Sequence, residues 1–301
     1  MPLKSGILLL TVLLVLSHCK KMTRMTSAGG YLSKEVQYKH LPGTDDNLLR
    51  LDVYYFDDRH PKPVVIWVHG GGWALGDKRN GLENKLRLFR DLGYVFVSVN
   101  YRLSPFPYET DNPDRIKFPA HNIDVADAVK WVYDSIAHYG GDRNKIVLTG
   151  HSAGAQLVAL TGTNRNFLQA AGVPFSAIKG VAVIDTESFD IYTLVRMNDP
   201  VFDMQRNAFG TDSLENVRAS AIRNLFQGQT YPAFFVVKRG NDFRKQQTEA
   251  FIRALENHGA DVTQLDASVY THREVNEAIG KPGEQIVTPA LKTFLSRCFG
   301  H

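Results

Sequence analysis

The amino-acid sequence predicts an α/β fold with a mostly parallel central sheet of about eight strands and helices on both faces. Short apolar runs rich in β-branched and aromatic residues recur along the chain, and helical patterns separate them. The runs are continuous rather than alternating, which is typical of strands buried on both faces of a parallel sheet. Alternation of strands and helices favours the α/β class. The 301 residues, 44% of them hydrophobic and 22% charged, can bury a full core.

The first segment, residues 1–19, predicts an export signal. Lys4 precedes the apolar run Gly6–Leu16, which is too short to span a bilayer as a helix but fits the apolar region of a secretory signal. The residues up to Cys19 resemble a bacterial lipoprotein processing site, in which the cysteine becomes the lipidated first residue. His18 departs from that pattern, which prefers a small residue there. The resemblance implies a periplasmic or outer-surface lipoprotein attached to the membrane through its N-terminal lipid. Ordinary signal cleavage with secretion and an uncleaved anchor are the alternatives.

The rest of the chain divides into a polar tether, predicted over residues 20–47, and one catalytic domain over residues 48–301. Continuous apolar runs predict buried strands at Val64–Val68, Val95–Val99, Ile146–Leu148, Val181–Ile184 and Phe234–Val237. The alternating stretch Leu51–Tyr55 predicts an antiparallel edge strand. Helices are predicted over 119–139, before Gly259 and near the C-terminus. A long connection at about 186–230 predicts a helical, lid-like excursion.

Charge and cysteine content exclude several function classes. The formal charge is +4, and the four basic residues of the acid-free segment 1–24 account for all of it. The remainder sums to zero, which gives no basic surplus for nucleic acid. Two cysteines in the whole chain exclude a disulfide scaffold and a cysteine-based zinc site.

The sequence Gly150-His151-Ser152-Ala153-Gly154 follows a predicted strand and opens a helical run. This is G-x-S-x-G in its strand–turn–helix setting, where a sharp turn presents the serine hydroxyl at the top of a sheet. Ser152 is therefore the candidate nucleophile, and the backbone N–H of Ala153 is a candidate donor to an oxyanion. The alternative is a serine that only caps the helix.

The sequence His69-Gly70-Gly71-Gly72-Trp73 follows the strand that ends at Val68. Consecutive glycines let backbone N–H groups approach a ligand, so Gly71 and Gly72 are candidate oxyanion donors. A phosphate loop is the main rival, but Asp77 stands where such a loop needs a lysine. A flexible loop without function is the other alternative.

Together the two motifs resemble the α/β-hydrolase esterases with an HGGG oxyanion loop, and the resemblance covers roughly residues 48–298. The segment 100–105, Asn-Tyr-Arg-Leu-Ser-Pro, looks like the small-ester and arylformamidase-like branch. The resemblance implies catalysis by serine, acid and histidine in that order, with no metal and no cofactor. On this basis the acid is Asp242, beyond the strand that ends at Val237, with Asp261 and Asp266 as weaker candidates. The alternative for Asp242 is a helix cap.

The same order implies that the base is His272, expected at the end of the last strand. His258 is placed at a helix C-terminus and His301 is the last residue. His151 is expected to point away from the nucleophile across the turn, and His69 to brace the glycine loop.

The candidate pocket residues are Trp73, Phe189 and Tyr192, from the glycine loop and the excursion. The resemblance implies a hydrolase acting on small or carbohydrate-linked esters through an acyl-enzyme. Two alternatives remain open. One is an arylformamidase that hydrolyses N-formyl amides, and the other is a non-catalytic binding module with the hydrolase fold.

Overall fold

The computed structural model describes residues 25–26, 30–58, 60–109, 112, 114–197 and 199–300. The predicted export signal and its candidate lipidation site, Cys19, lie outside the described residues. Within the described ranges, no helix has both the length and the apolar character needed to cross a membrane.

Nine strands form one sheet in the described part of the chain, and ten α-helices surround it. The strands are β1 (Met25–Thr26), β2 (Leu32–Gln37), β3 (Arg50–Tyr55), β4 (Lys62–Val68), β5 (Val95–Val99), β6 (Gly141–His151), β7 (Ile178–Ile184), β8 (Ala233–Lys238) and β9 (Val262–Asp266). The helices are α1 (Glu83–Asp91), α2 (Ala120–Ser135), α3 (Ala153–Thr163), α4 (Asn166–Ala170), α5 (Ile191–Arg196), α6 (Asp203–Phe209), α7 (Ser213–Ala219), α8 (Asp242–Asn257), α9 (His272–Ala278) and α10 (Val287–Phe299).

The sheet has the order β1-β2-β3-β5-β4-β6-β7-β8-β9. All pairs from β5 to β9 are parallel, whereas β1, β2 and β3 pair antiparallel with their neighbours. The predicted α/β architecture with a mostly parallel sheet is therefore confirmed.

Two apolar layers, one on each face of the sheet, explain the continuous apolar runs. Alternate residues of β4, such as Ile66 and Trp67, belong to opposite layers. Helices α2, α3 and α8 cover one face, and α1, α9 and α10 cover the other. Because both faces are buried, each central strand needs an apolar side chain at nearly every position.

The antiparallel end of the sheet begins earlier than the sequence predicted. Residues 32–37 form β2 rather than part of a tether, and β2 lies outside β3, so Leu51–Tyr55 is antiparallel but not at the edge. The side chain of Tyr31, just before β2, is 1% exposed, and its hydroxyl donates to the carbonyl oxygen of Tyr94 at 2.7 Å. In β2 the charged residues Lys34 and Glu35 stand next to each other, so the apolar–polar alternation typical of a strand is not visible. The segment therefore resembles a polar linker in the sequence.

The carboxyl ends of the parallel strands lie side by side and form one edge of the sheet, which runs across the strand ends rather than along an outer strand. The glycine loop follows β4, Ser152 follows β6, Asp185 follows β7, and His272 follows β9 after a turn. Chemistry-bearing residues far apart in the chain therefore meet at this edge.

A strand in place of a tether predicts a measurable contribution to stability. We expect a chain beginning at residue 38 to melt roughly 10 °C below one beginning at residue 30. Losing the buried Tyr31 and one strand pairing costs about 3 kcal/mol or more. Thermal unfolding followed by circular dichroism checks this difference, and equal melting temperatures would restore the tether interpretation.

Candidate active site

Ser152 lies on a sharp turn between β6 and α3. Its backbone has φ 57° and ψ −121°, a conformation that is costly for a residue with a side chain. A Cβ on Gly150 would lie 2.4 Å from the carbonyl oxygen of Gly154, and a Cβ on Gly154 would lie 2.1 Å from that of Val68. Only glycine fits at both positions, so the two glycines allow the turn to form against β4.

His272 meets Ser152 although 120 positions separate them. The Nε2 atom of His272 lies 2.9 Å from the Oγ atom of Ser152. His272 is the first residue of α9 rather than the end of a strand, because the side chain of Thr271 caps this helix in a capping box with Glu274. The cap fixes the start of α9 at His272.

The carboxylate that contacts His272 belongs to Asp185, and the prediction of Asp242 is wrong. The Oδ2 atom of Asp185 lies 2.6 Å from the Nδ1 atom of His272. Asp185 follows β7, which pairs directly with β6, whereas the loop after β8 is one strand further from Ser152. Asp242 is an exposed residue in the first turn of α8, next to the helix cap Asn241.

The weaker candidates for the acid also lie elsewhere. Asp261 pairs with Arg297, and Asp266 accepts a hydrogen bond from the backbone N–H of Ser268. Asp185 comes directly after an apolar run, as Asp242 nearly does, so position after a strand did not distinguish the two. The distinguishing features are the left-handed backbone of Asp185, with φ 54°, and the contact of its carboxylate with His272.

Two arginines hold the Asp185 carboxylate from the other side. Arg239 donates through Nε to Oδ2, and Arg244 donates through Nη2 to Oδ1 at 2.7 Å. Burial raises the pKa of Asp185, but the hydrogen bond from His272 and the charge of Arg244 outweigh it and leave the pKa well below its usual range. The carboxylate is therefore ionised at neutral pH.

The prediction that His151 points away from the site is wrong. Its Nε2 atom lies 2.9 Å from the backbone carbonyl oxygen of His272, and the two imidazole rings are 4.5 Å apart. Burial and the neighbouring His272 lower the pKa of His151 to about 3. A neutral His151 that donates from Nε2 thus braces the backbone of His272.

Ligand atoms of His151, Asp185 and His272 all lie within 4.8 Å of one another, a spacing that a metal ion could also use. However, both ring nitrogens of His272 are already within hydrogen-bond distance of Ser152 and Asp185. With a proton on Nδ1, His272 donates to Asp185 and accepts from Ser152. The arrangement fits a hydrogen-bonded chain that ends at the serine hydroxyl.

The glycine loop lies directly against the Ser152 turn. A Cβ on Gly70 would lie 3.0 Å from the Cβ of Ser152, and one on Gly71 would lie 2.1 Å from the carbonyl oxygen of Leu75. Gly71 and Gly72 have φ 119° and 61°, which side chains disfavour. Among the described residues, no hydrogen-bond acceptor is recorded for the N–H groups of Gly71, Gly72 or Ala153. These donors remain available at the sheet edge.

His69 supports the loop from below, as expected. Its ring stacks on Tyr101 with centroids 4.5 Å apart, and its Nδ1 atom lies 2.7 Å from the carbonyl oxygen of Gly70. Burial lowers the pKa of His69 to about 4, so the ring is neutral at physiological pH.

Helix α6 of the excursion covers the glycine loop. The thioether of Met204 lies so close that a Cβ on Gly72 would be 2.1 Å from its sulfur. The Trp73 side chain is 1% exposed and packs edge-on against Phe209, with ring centroids 4.9 Å apart. Trp73 therefore packs against α6 from within the core, while Met204 of the same helix faces the glycine loop.

The other two predicted pocket residues have different roles. Phe189 is 1% exposed and stacks on Phe251 in the core, so it does not line a pocket. Tyr192 lies between the guanidinium groups of Arg196 and Arg223, at 3.6 and 4.5 Å from its ring centroid.

Comparisons with known proteins identify the family to which the chain belongs. The BD-FAE family model matches residues 51–236, a range that includes the glycine loop, Ser152 and Asp185. The chain belongs to the BD-FAE family. The match ends before Asp242 and His272, so these two positions rest on the structure alone.

Two curated relatives of this BD-FAE member come from Mycobacterium tuberculosis. Esterase LipQ is 37% identical over 139 residues, covering 45% of this chain and 30% of LipQ. Probable carboxylic ester hydrolase LipM is 28% identical over 214 residues, covering 64% of this chain and 44% of LipM. The chain thus spans less than half the length of either relative.

A solved structure with the same fold is esterase B from Lactobacillus rhamnosis. Its TM-score is 0.69 at 21% sequence identity, and the alignment covers 89% of this chain and 88% of esterase B. The likeness extends over nearly the whole of both chains, and the predicted α/β-hydrolase fold is confirmed.

The lowered pKa of Asp185 predicts a pH-dependent contribution to stability. In the unfolded chain an aspartate titrates near pH 3.9, about the usual value. The contribution of Asp185 is therefore fully present above about pH 4 and is lost as pH falls through the lower folded pKa. We expect the melting temperature of the wild type to exceed that of Asp185→Asn above about pH 4, and the difference to shrink below it.

Differential scanning calorimetry between about pH 2 and pH 7 measures this difference. Asp242→Asn is the matched control, because it removes an exposed carboxylate outside the contact network of His272. A gap between wild type and Asp185→Asn that stays constant over the whole range would contradict the assignment.

Proposed function

We propose that the protein is a serine hydrolase of carboxylic esters. Ser152 is the nucleophile, His272 the general base, and Asp185 the acid that orients it. The single observation that carries the proposal is the hydrogen-bonded chain from Asp185 through His272 to Ser152, with distances of 2.6 and 2.9 Å. The named activities of the relatives LipQ and LipM support the same reaction class.

Each member of the chain supplies what the others lack. A serine hydroxyl is a weak nucleophile near neutral pH, so His272 must accept its proton as the oxygen attacks the ester carbonyl. Asp185 keeps the proton of His272 on Nδ1 and stabilises the imidazolium that forms. His272 then protonates the leaving alcohol, and water hydrolyses the acyl-enzyme by the same steps.

The tetrahedral intermediate needs donors for its negatively charged oxygen. The backbone N–H groups of Gly71, Gly72 and Ala153 are the candidates, because they lie beside Ser152 with no recorded acceptor among the described residues. Each such donor lowers the barrier by roughly 3 kcal/mol in comparable sites. Such donors act best when the loop holds them in place before reaction.

We propose small or carbohydrate-linked esters as the substrate class. Met204 lies directly over Gly72 and leaves limited room beside the oxyanion donors. Helix α6, which carries Met204, is anchored by Asn207, whose side-chain amide donates to the carbonyl oxygen of Ser104 at 2.8 Å. A wall of this kind favours short acyl groups over long ones.

The assignment of the triad predicts a specific ranking of variants. We expect Ser152→Ala and His272→Gln to lose at least about a thousandfold in kcat/KM, and Asp185→Asn about a hundredfold or more. Asp242→Asn, the matched control, should retain wild-type activity because the residue lies outside the site. Hydrolysis of p-nitrophenyl acetate, butyrate and octanoate measures all four, and the short esters should be the better substrates.

Assays of the same variants with a formanilide and with a fluorophosphonate probe separate the alternative functions. Faster turnover of a formanilide than of acetyl esters would identify an arylformamidase, which uses the same groups on an N-formyl amide. A folded protein that hydrolyses neither substrate, and whose Ser152 resists a fluorophosphonate, would be a binding module. Full activity in Asp185→Asn with loss in Asp242→Asn would overturn the assignment of the acid.

We also propose that the protein is exported and lipidated at Cys19. The support is the sequence of the first segment, a single lysine followed by an apolar run and a cysteine. Mass spectrometry of the mature N-terminus from a bacterial host is expected to show a diacylglycerol-modified Cys19, and Cys19→Ala should abolish the modification. A free N-terminus at another residue would indicate ordinary signal cleavage.

A further inference from the structure

The loop after β8, where the acid was expected, instead supplies cations to Asp185. Arg239 follows this strand directly, and Arg244 lies in the first turns of α8. Both Asp185 oxygens are occupied, Oδ2 by His272 and Arg239 and Oδ1 by Arg244. Arg244 also contacts Oε2 of Glu187 through Nη1.

These four charged side chains form a compact and largely buried cluster, which we call the aspartate clamp. It consists of Asp185, Glu187, Arg239 and Arg244, whose side chains are 2, 16, 13 and 21% exposed. Two negative and two positive charges sum to zero. His272 therefore faces a neutral clamp, whereas a lone aspartate would present a net charge of −1.

The charge of the clamp matters because His272 must gain and lose a proton. A negative neighbour favours the imidazolium form, and a positive neighbour disfavours it. In a partly buried setting, one unit of charge at several Å changes this balance by an amount that titration can measure. Compared with a clamp of net charge −1, a neutral clamp favours the unprotonated imidazole, which is the form that can act as a base.

We propose that Arg239 and Arg244 are positioning residues that neutralise Asp185 and extend the working range of His272 toward acidic pH. This inference rests on the proposed function, in which His272 is the general base. The arginines act through Asp185 and need not touch the substrate. Their bonds also hold both carboxylate oxygens in the orientation that His272 requires.

Other ionisable groups lie on the elements packed near His272, and none of them is substituted in the test. They are His151 from β6, and Arg273 and Glu274 from α9, each already hydrogen-bonded. Lys85 from α1 acts on His151, and burial lowers the pKa of Lys85 to about 7, so its charge changes with pH in the wild type and in every variant alike. None of them contacts the Asp185 carboxylate, so substitutions within the clamp change its charge alone.

Variants of opposite sign test the proposal. Arg244→Gln and Arg239→Gln each leave the clamp with a net charge of −1. The acidic limb of the plot of kcat/KM against pH should then shift to higher pH by about half to one pH unit. Glu187→Gln leaves the clamp with a net charge of +1, and the acidic limb should shift to lower pH by a similar amount. The double variant Arg244→Gln/Glu187→Gln is neutral again and should return close to the wild-type limb.

A purely structural role would give a different pattern. Loss of packing alone lowers kcat in every variant without moving the limb, and the double variant would then be worse than either single one. That result would overturn the proposal. Arg297→Gln is the matched control, since it breaks an arginine–aspartate pair with Asp261 at the opposite edge of the sheet.

A second readout separates this inference from the proposed function. Nuclear magnetic resonance of histidine-labelled protein follows the protonation of His272 directly, with the signal assigned by its loss in His272→Gln. If the protein hydrolyses no ester but the His272 titration midpoint shifts as stated, the clamp stands and the esterase proposal fails. If esters are hydrolysed and the midpoint does not move in Arg244→Gln or Glu187→Gln, the clamp proposal fails alone.

Discussion

The hydrogen bond between Nδ1 of His272 and Oδ2 of Asp185 is the contact on which the rest of the site depends. It connects a helix that follows the last strand to the end of a strand in the middle of the sheet. Without it, the imidazole of His272 could rotate, and its Nε2 atom would no longer meet the hydroxyl of Ser152. The contact requires a buried negative charge, which is costly unless it is paired. The arginines of the aspartate clamp meet that requirement.

The fold supplies this contact through close approaches of backbone rather than through long side chains. Gly154 lets α3 come against the end of β4, and Gly70 lets the glycine loop come against the Ser152 turn. Both approaches lie at the carboxyl ends of adjacent parallel strands, β4 and β6. His151 then connects the turn before Ser152 to the backbone of His272. The nucleophile, the donors and the base are therefore held by one continuous set of short contacts.

Local patterns in the sequence predicted the parts of the molecule that local rules govern. A few consecutive residues carry the signal for each of these parts. These parts are the buried strands with their apolar runs, the turn at Ser152 and the glycine loop. The acid could not be predicted in this way, because Asp185 and Asp242 both come after strands. The choice between them depends on which strand neighbours β6 and on the backbone conformation of Asp185, and neither is encoded locally. Strand β2 escaped prediction for a related reason, since its adjacent charged residues Lys34 and Glu35 hide its pairing with β3.

The direction of β2 determines at which end of the parallel strands the N-terminal part of the sheet begins. Strand β3 runs antiparallel to β5, and β2 antiparallel to β3, so β2 runs in the same direction as the parallel strands. Strand β1 pairs with the first residues of β2, so Thr26 and Leu32 both lie at the amino ends of the parallel strands, opposite to Ser152 and His272. The N-terminal strands and the catalytic groups therefore lie at opposite ends of the parallel strands, and the antiparallel addition to the sheet leaves the carboxyl ends of β4, β6 and β7 to the site.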